Sequence, residues 1–228
     1  MAKHIENEVA YYYDFHPTEE DLMGETSLHR SLIDYLALVL KWLFQGQLCT
    51  IYENLNFYQT ANPKEYPLAP DIAVIKGVSF QYVRSWRVGK SGPAPQVVFE
   101  IASEETWNND LHEKPGKYAH MGVAEYFAYD PNERPLDRKT GRRLFGWQLD
   151  PAKGVMQEMR LRPDGSLWSV HLQSVLVPQS EYLRLYDWQG HLRLTQAEAE
   201  ARRAEIETRR AQVMAEKLRS LGIDPDQL

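Results

Sequence analysis

Pro70-Asp71-Ile72-Ala73-Val74-Ile75 and Gln96-Val97-Val98-Phe99-Glu100-Ile101-Ala102 are two apolar runs that each carry one acid. Short apolar runs bounded by turn residues read as buried strands. Asp71 opens the first, and Glu100 is the only charge in the second. A carboxylate buried in a strand is costly unless a proton, a cation or a metal accompanies it. Two acids on neighbouring strands, followed by Lys114, suggest a magnesium-centred site for phosphodiester hydrolysis. That chemistry needs a divalent cation, a water to activate and neutralisation of charge on the phosphate. The backbone carbonyl of Ile101 can add a ligand. Glu25, just ahead of the first helix, can face the same sheet edge, with His29 one turn further on.

Working outward, Leu28, Leu32, Tyr35, Leu36, Val39, Leu40 and Leu43 recur at helical spacing and predict a helix over 27–44, capped by Thr26 or Ser27. Strands are expected at 48–58, 71–76 and 96–102, with a Gly- and Pro-rich loop over 77–95. A helix over about 110–121 ends at Gly122, and Glu125 to Tyr129 forms the next strand. The order is α-β-β-β-α-β, and the helix between the last two strands permits a parallel crossover. An α/β fold with a mixed sheet follows.

Residues 142–190 read as short antiparallel strands, at 144–149, 155–161 and 167–172, separated by Asp150-Pro151 and Arg162-Pro163-Asp164-Gly165. They are expected to be a C-terminal β-hairpin extension that completes the core. From Thr195 the composition turns to Ala, Glu and Arg. Thr195-Gln196-Ala197-Glu198 fits a capping box, and Glu198/Arg202 and Glu205/Arg209 are favourable pairs four apart. Leu192, Ala199, Ile206 and Val213 repeat every seven residues beside polar companions, a weak coiled-coil signal. The expected division is a domain over 1–190 and a helical tail over 191–228.

Composition bounds the function. Lys and Arg number 26 against 32 Asp and Glu, a net charge of −6, and the tail from 191 is balanced, so the rest of the chain carries the excess. A non-specific nucleic-acid coater is normally basic; an acidic enzyme can still bind phosphate through local cations. Met1-Ala2-Lys3-His4 leads into polar residues, so no signal peptide is read. The run from Leu32 to Phe44 is interrupted by Asp34 and Lys41 and is too short to span a bilayer. A lone Cys49 forms no internal disulfide, which makes a reducing cytoplasm the default. Flanked by Leu48 and Ile51, it reads as a small buried hydrophobe rather than a nucleophile.

Taken together, Pro70-Asp71, Phe99-Glu100-Ile101-Ala102-Ser103, Glu113-Lys114 with Tyr118, Gly122-Val123-Ala124-Glu125-Tyr126-Phe127 and Asp130-Pro131 resemble the Uma family of restriction-endonuclease-like proteins, abundant in cyanobacteria and other bacteria. The resemblance covers about residues 10–190, and the tail ending Leu221-Gly222-Ile223-Asp224-Pro225 is also similar to members of that family. It implies the PD-(D/E)-x-K nuclease core, with Asp71 and Glu100 as the metal-binding acids and Glu25 as a candidate acid on the first helix. One position departs from the pattern. Where the superfamily has its lysine, two residues after the second acid, this chain has Ala102. Related sequences use a lysine from the following helix, which corresponds to Lys114.

A long ammonium stem can reach one site from several backbone origins. Pro115-Gly116 means that the helix either begins near Pro115 or kinks there, and Lys117 is a rival for the role. Asp71 can instead cap a turn, Glu100 can pair with an arginine, and Lys114 can be a solvated charge. Arg84-Ser85-Trp86-Arg87-Val88-Gly89-Lys90 interleaves cations with an indole, so Arg84, Arg87, Lys90 and Lys117 are candidate phosphate contacts. Arg138 to Arg143 is a second basic cluster. The expectation is a Mg2+-dependent endonuclease (Mn2+ an alternative cofactor) that acts on DNA as a homodimer or larger oligomer. Its rival is a catalytically silent binding or assembly protein that associates through its tail.

Overall fold

The computed structural model describes residues 10–16, 26–222 and 224. Helix α1 spans Ser27–Leu43, and Thr26 caps it, its side chain accepting the His29 N–H at 3.2 Å. Leu32, Ile33, Leu36, Ala37, Val39 and Leu40 form its buried face. Burial of each large aliphatic side chain contributes about 1.5–3 kcal/mol. Strands β1 (Cys49–Glu53), β2 (Asn56–Tyr58), β3 (Ile72–Lys76), β4 (Ser85–Arg87) and β5 (Val97–Ile101) follow. The expected strand over 48–58 is thus two strands. Asn54, in the left-handed region with φ 48°, turns the chain between them. β2 leaves the main sheet and pairs with β4 as a separate parallel ribbon.

The single helix expected over 110–121 is likewise two, α2 (Trp107–His112) and α3 (Lys114–Met121), with the break at Glu113. Pro115 has no N–H to give to the preceding turn, so the chain starts a fresh helix with the proline in its first turn. Gly122, with φ 86°, ends α3, and its N–H reaches back to the carbonyl of Ala119.

β6 (Glu125–Tyr129), β7 (Leu144–Asp150) and β8 (Val155–Glu158) complete a six-stranded sheet of order β1-β3-β5-β6-β7-β8. β5 and β6 run parallel and every other neighbouring pair is antiparallel, so the sheet is mixed, as expected. Alternate residues of the central strands face opposite layers. Ile72, Val74, Val97, Phe99, Ile101 and Phe127 pack with α1, whereas Ala73, Ile75, Val98, Tyr126 and Ala128 pack with Tyr118 and Met121 of α3. Strands covered on both faces read as unbroken apolar runs, which is why these were conspicuous in the sequence.

The segment after β7 does more than add a hairpin. β8 extends the main sheet, while β9 (Leu167–Ser169), β10 (Ser174–Gln179) and β11 (Tyr182–Tyr186) form a three-stranded antiparallel sheet that joins the α1 core layer. Gly146 on β7 marks the join. A Cβ there would lie 2.7 Å from Leu167 and 2.9 Å from Phe127. Buried Glu125 ties the layers from below, accepting the Ser169 hydroxyl and the Val170 N–H at 2.8 Å.

Residues from Leu194 onward form a second unit. Its helix α4 spans Gln196–Ser220 and starts with the expected capping box: Thr195 Oγ1 accepts the Glu198 N–H at 3.2 Å while Glu198 accepts the Thr195 N–H at 2.7 Å. No residue of α4 is buried, and Ile206, Val213 and Met214 are exposed. Among the described residues no helix is long and apolar enough to cross a membrane.

Candidate active-site cleft

Asp71 sits one residue before β3, and Glu100 is the fourth residue of β5. The ladder pairs Ile72 with Phe99, so one further antiparallel step sets Asp71 opposite Glu100. Side chains directly opposite one another share a face. That face belongs to α3, which delivers Lys114 from its first residue. Asp71, Glu100 and Lys114 therefore line one open cleft of about 780 Å3, together with His29, Ser103 and Thr106.

Contacts within the cleft are polar and close. Lys114 Nζ lies 3.0 Å from Glu100 Oε1 and 2.9 Å from Asp110 Oδ1. The buried Tyr118 hydroxyl donates to the same Glu100 oxygen. Asp71 Oδ2 accepts the backbone N–H of Ile101 at 2.6 Å, and its Oδ1 is 3.4 Å from His29 Nε2. Ala102 is buried and its N–H goes to the carbonyl of Tyr129, and its methyl side chain offers the cleft no polar group.

Burial dominates the electrostatics. It pushes the Glu100 carboxyl up to about 8; Lys114 pulls the other way, and the charges of Asp71 and Asp110 add to the rise. Burial also raises Asp110, again against the pull of Lys114. Two buried carboxylates thus share one ammonium, and the cluster is short of positive charge.

A divalent cation would supply that charge. Among the described residues no three His, Cys, Asp or Glu side chains form a metal-holding group. Magnesium does not require one, since it is commonly held by one or two carboxylates and completes its octahedron with water. The donor set Asp71 and Glu100 fits that habit.

Other expected site residues fall elsewhere. Glu25 lies outside the described residues. Lys117 points away, paired with Glu113 at 3.1 Å and about half exposed, whereas the Lys114 side chain is 9 % exposed. Arg84 stacks over Phe15 and Arg87 over Tyr11, at 4.6 and 4.8 Å from the ring centroids, so both brace the segment around the 3-10 turn Tyr12–Asp14. Lys90 is exposed in the turn after β4. Burial raises the Cys49 thiol to about 11, which suits an inert packing residue. Asp130 is buried and shapes a turn, accepting the N–H groups of Asn132 and Leu136.

Two participants had not been singled out as site residues. Tyr118 lies four residues beyond Lys114 on α3 and Asp110 four before it on α2, a spacing visible in the sequence. Asp110 looked like any helix charge, because only the fold shows that its face is buried.

A family model, Uma2, described as "putative restriction endonuclease", matches residues 5–170. A crystal structure from Anabaena variabilis described as "a putative nuclease belonging to DUF820" is similar at 12% sequence identity with a TM-score of 0.46, covering 66% of this chain and 76% of that one. No curated protein matches.

Proposed function

The chain belongs to the Uma2 family of restriction-endonuclease-like proteins, and from that premise we propose that it is a metal-dependent endonuclease that hydrolyses DNA phosphodiester bonds in the Asp71–Glu100–Lys114 cleft. One observation carries this reading. The lysine missing at position 102 has a counterpart in Lys114, whose ammonium stands 3.0 Å from Glu100 although it comes from a different element.

Asp71 and Glu100 would hold Mg2+ or Mn2+. When bound, the cation supplies Lewis acidity and an activated water. The remaining roles fall to the chain itself. Lys114 offers positive charge to the phosphate as negative charge builds on its oxygens, inside a cleft where burial strengthens the interaction. The Ile101 N–H fixes one oxygen of Asp71 and leaves Oδ1 on the His29 side. Tyr118 fixes Glu100 from the closed side of the cleft. Lys90 and Lys117 are exposed cations suited to phosphate contacts; Arg84 and Arg87 reach a duplex only by the edges of stacked guanidinium groups.

The rival reading, a silent nuclease fold used for binding or assembly, is favoured by the internal neutralisation of Glu100, whose Oε1 already receives Lys114 and Tyr118. Incubation of the purified full chain with supercoiled plasmid and Mg2+ or Mn2+ separates the two. Nicking that disappears in Glu100→Gln supports the enzyme; no nicking with either metal leaves the binding protein.

A further inference from the structure

We propose that Asp110 is a positioning residue for phosphodiester cleavage: it is the fixed anchor that keeps the Lys114 ammonium at the cleft once a cation has engaged Glu100. The inference rests on the metal-dependent reading of the cleft given above.

A lysine on the strand itself would be aimed by the strand. Lys114 instead arrives on a four-carbon stem from the start of α3, with many rotamers open to it. In the structure its ammonium has two carboxylates, Glu100 at 3.0 Å and Asp110 at 2.9 Å. A cation drawn to Glu100 competes with the ammonium for that carboxylate and repels it. With Glu100 as its sole anchor, Lys114 would be driven out as the site became loaded. Asp110 removes that conflict, because Asp110, unlike Glu100, does not line the cleft, and its side chain is 1 % exposed.

Asp110 is itself held by two further contacts. Thr106 Oγ1 donates to its Oδ2 at 2.9 Å. Thr106 is in turn locked to Ser103, with the hydroxyl oxygens 3.1 Å apart and the Thr106 N–H on Ser103 Oγ at 3.1 Å. The Tyr126 hydroxyl donates to the Asp110 backbone carbonyl at 2.9 Å. Ser103 and Thr106 belong to the loop that leaves β5 just after Glu100. The anchor of the lysine is therefore braced by the loop that follows the strand carrying Glu100. The break at Glu113 lies inside the Asp110–Lys114 pair, so this ion pair spans the join of α2 and α3.

Two measurements on the full chain test the proposal. In plasmid nicking, Asp110→Asn should lower kcat by about 100-fold, the loss expected when a reacting group drifts by about an ångström, with KM for DNA unchanged. Thr106→Val frees one Asp110 oxygen while keeping the charge; it should give a smaller loss of the same kind and guards against a misfolded Asp110→Asn. An unchanged kcat in both variants overturns the proposal, as does a fall in kcat that only tracks a fall in Tm. The second measurement needs no catalysis. Side-chain ammonium NMR should show a slowly exchanging Lys114 signal that survives in Glu100→Gln, where one anchor charge is gone, and vanishes in Glu100→Gln/Asp110→Asn. Persistence in the double variant overturns the anchor role. A wild-type protein that nicks no DNA with either metal, yet shows this NMR pattern, would overturn the nuclease reading and leave Asp110 as the anchor of Lys114.

Discussion

Asp71 Oδ2 accepts the backbone N–H of Ile101 at 2.6 Å, which ties the start of β3 to the residue immediately after Glu100. Beyond the ladder that ends at Ile72 and Phe99, this bond keeps the two acids in register at the sheet edge. It separates two roles that substitution can distinguish. Asp71→Ala leaves a buried N–H without an acceptor and should cost about 1–3 kcal/mol in urea unfolding. Asp71→Asn keeps an acceptor and should unfold near the wild-type midpoint, yet lose metal-dependent nicking. Equal instability in both variants would mean that the charge, not the hydrogen bond, holds the strand.

Glu100 predicts a pH dependence whose sign is fixed by burial. Its carboxyl is pushed from the ordinary 4.5 up to about 8 in the folded chain. Across that window the unfolded chain has lost a proton that the folded chain keeps. Stability from this group is therefore full below about 4.5 and is lost as pH rises toward 8, by at most about 1.4 kcal/mol per pH unit. Thermal melts of the metal-free protein should show Tm falling over this range more steeply than in Glu100→Gln. Parallel curves would contradict the raised value.

The two lysines of α3 should behave very differently. Removing Lys114 breaks its buried pair with Asp110 and its contact with Glu100 and should cost about 3–5 kcal/mol. Lys117 makes an exposed pair with Glu113, and Lys117→Ala should change stability by less than about 1 kcal/mol. Chemical denaturation of both variants checks this, and similar midpoints would remove Lys114 from the buried cluster.

The unit from Leu194 onward should be separable. Its helix buries nothing of its own and exposes Ile206, Val213 and Met214, a surface suited to a second copy of the helix. Deleting residues 194–228 should leave a folded core that still nicks DNA, while light scattering shows a smaller oligomer. An unchanged oligomer would assign assembly to the core instead.

Much of this was legible in the chain. The apolar runs at 71–76, 96–102 and 125–129 are of strand length and bounded by turn residues, and α1 carries a full amphipathic face, so local pattern and fold agreed. The split of 48–58 was hidden because Asn54 can sit in an ordinary strand or in a left-handed turn, and only pairing with β4 decides. The hairpin at 174–186 was blurred by Pro178 within β10 and by a turn made with Ser180 at φ 53° rather than with glycine. Asp71 and Glu100 stood out because charge is rare in apolar runs. Asp110 did not, since its burial depends on Thr106, Tyr126 and Lys114 meeting across three elements.

The parallel pairing of β5 with β6 has a consequence for how the protein is made. Parallel neighbours cannot be joined by a tight turn, so the chain passes through all of α2 and α3 between β5 and β6. Glu100 lies just before that crossover, and Lys114 and Asp110 lie within it. The residues that share the ammonium thus lie at and within the crossover that joins the two central strands. A growing chain on the ribosome therefore cannot close this ladder until the residues of β6 have emerged, by which point Asp71, Glu100, Asp110 and Lys114 have all been made.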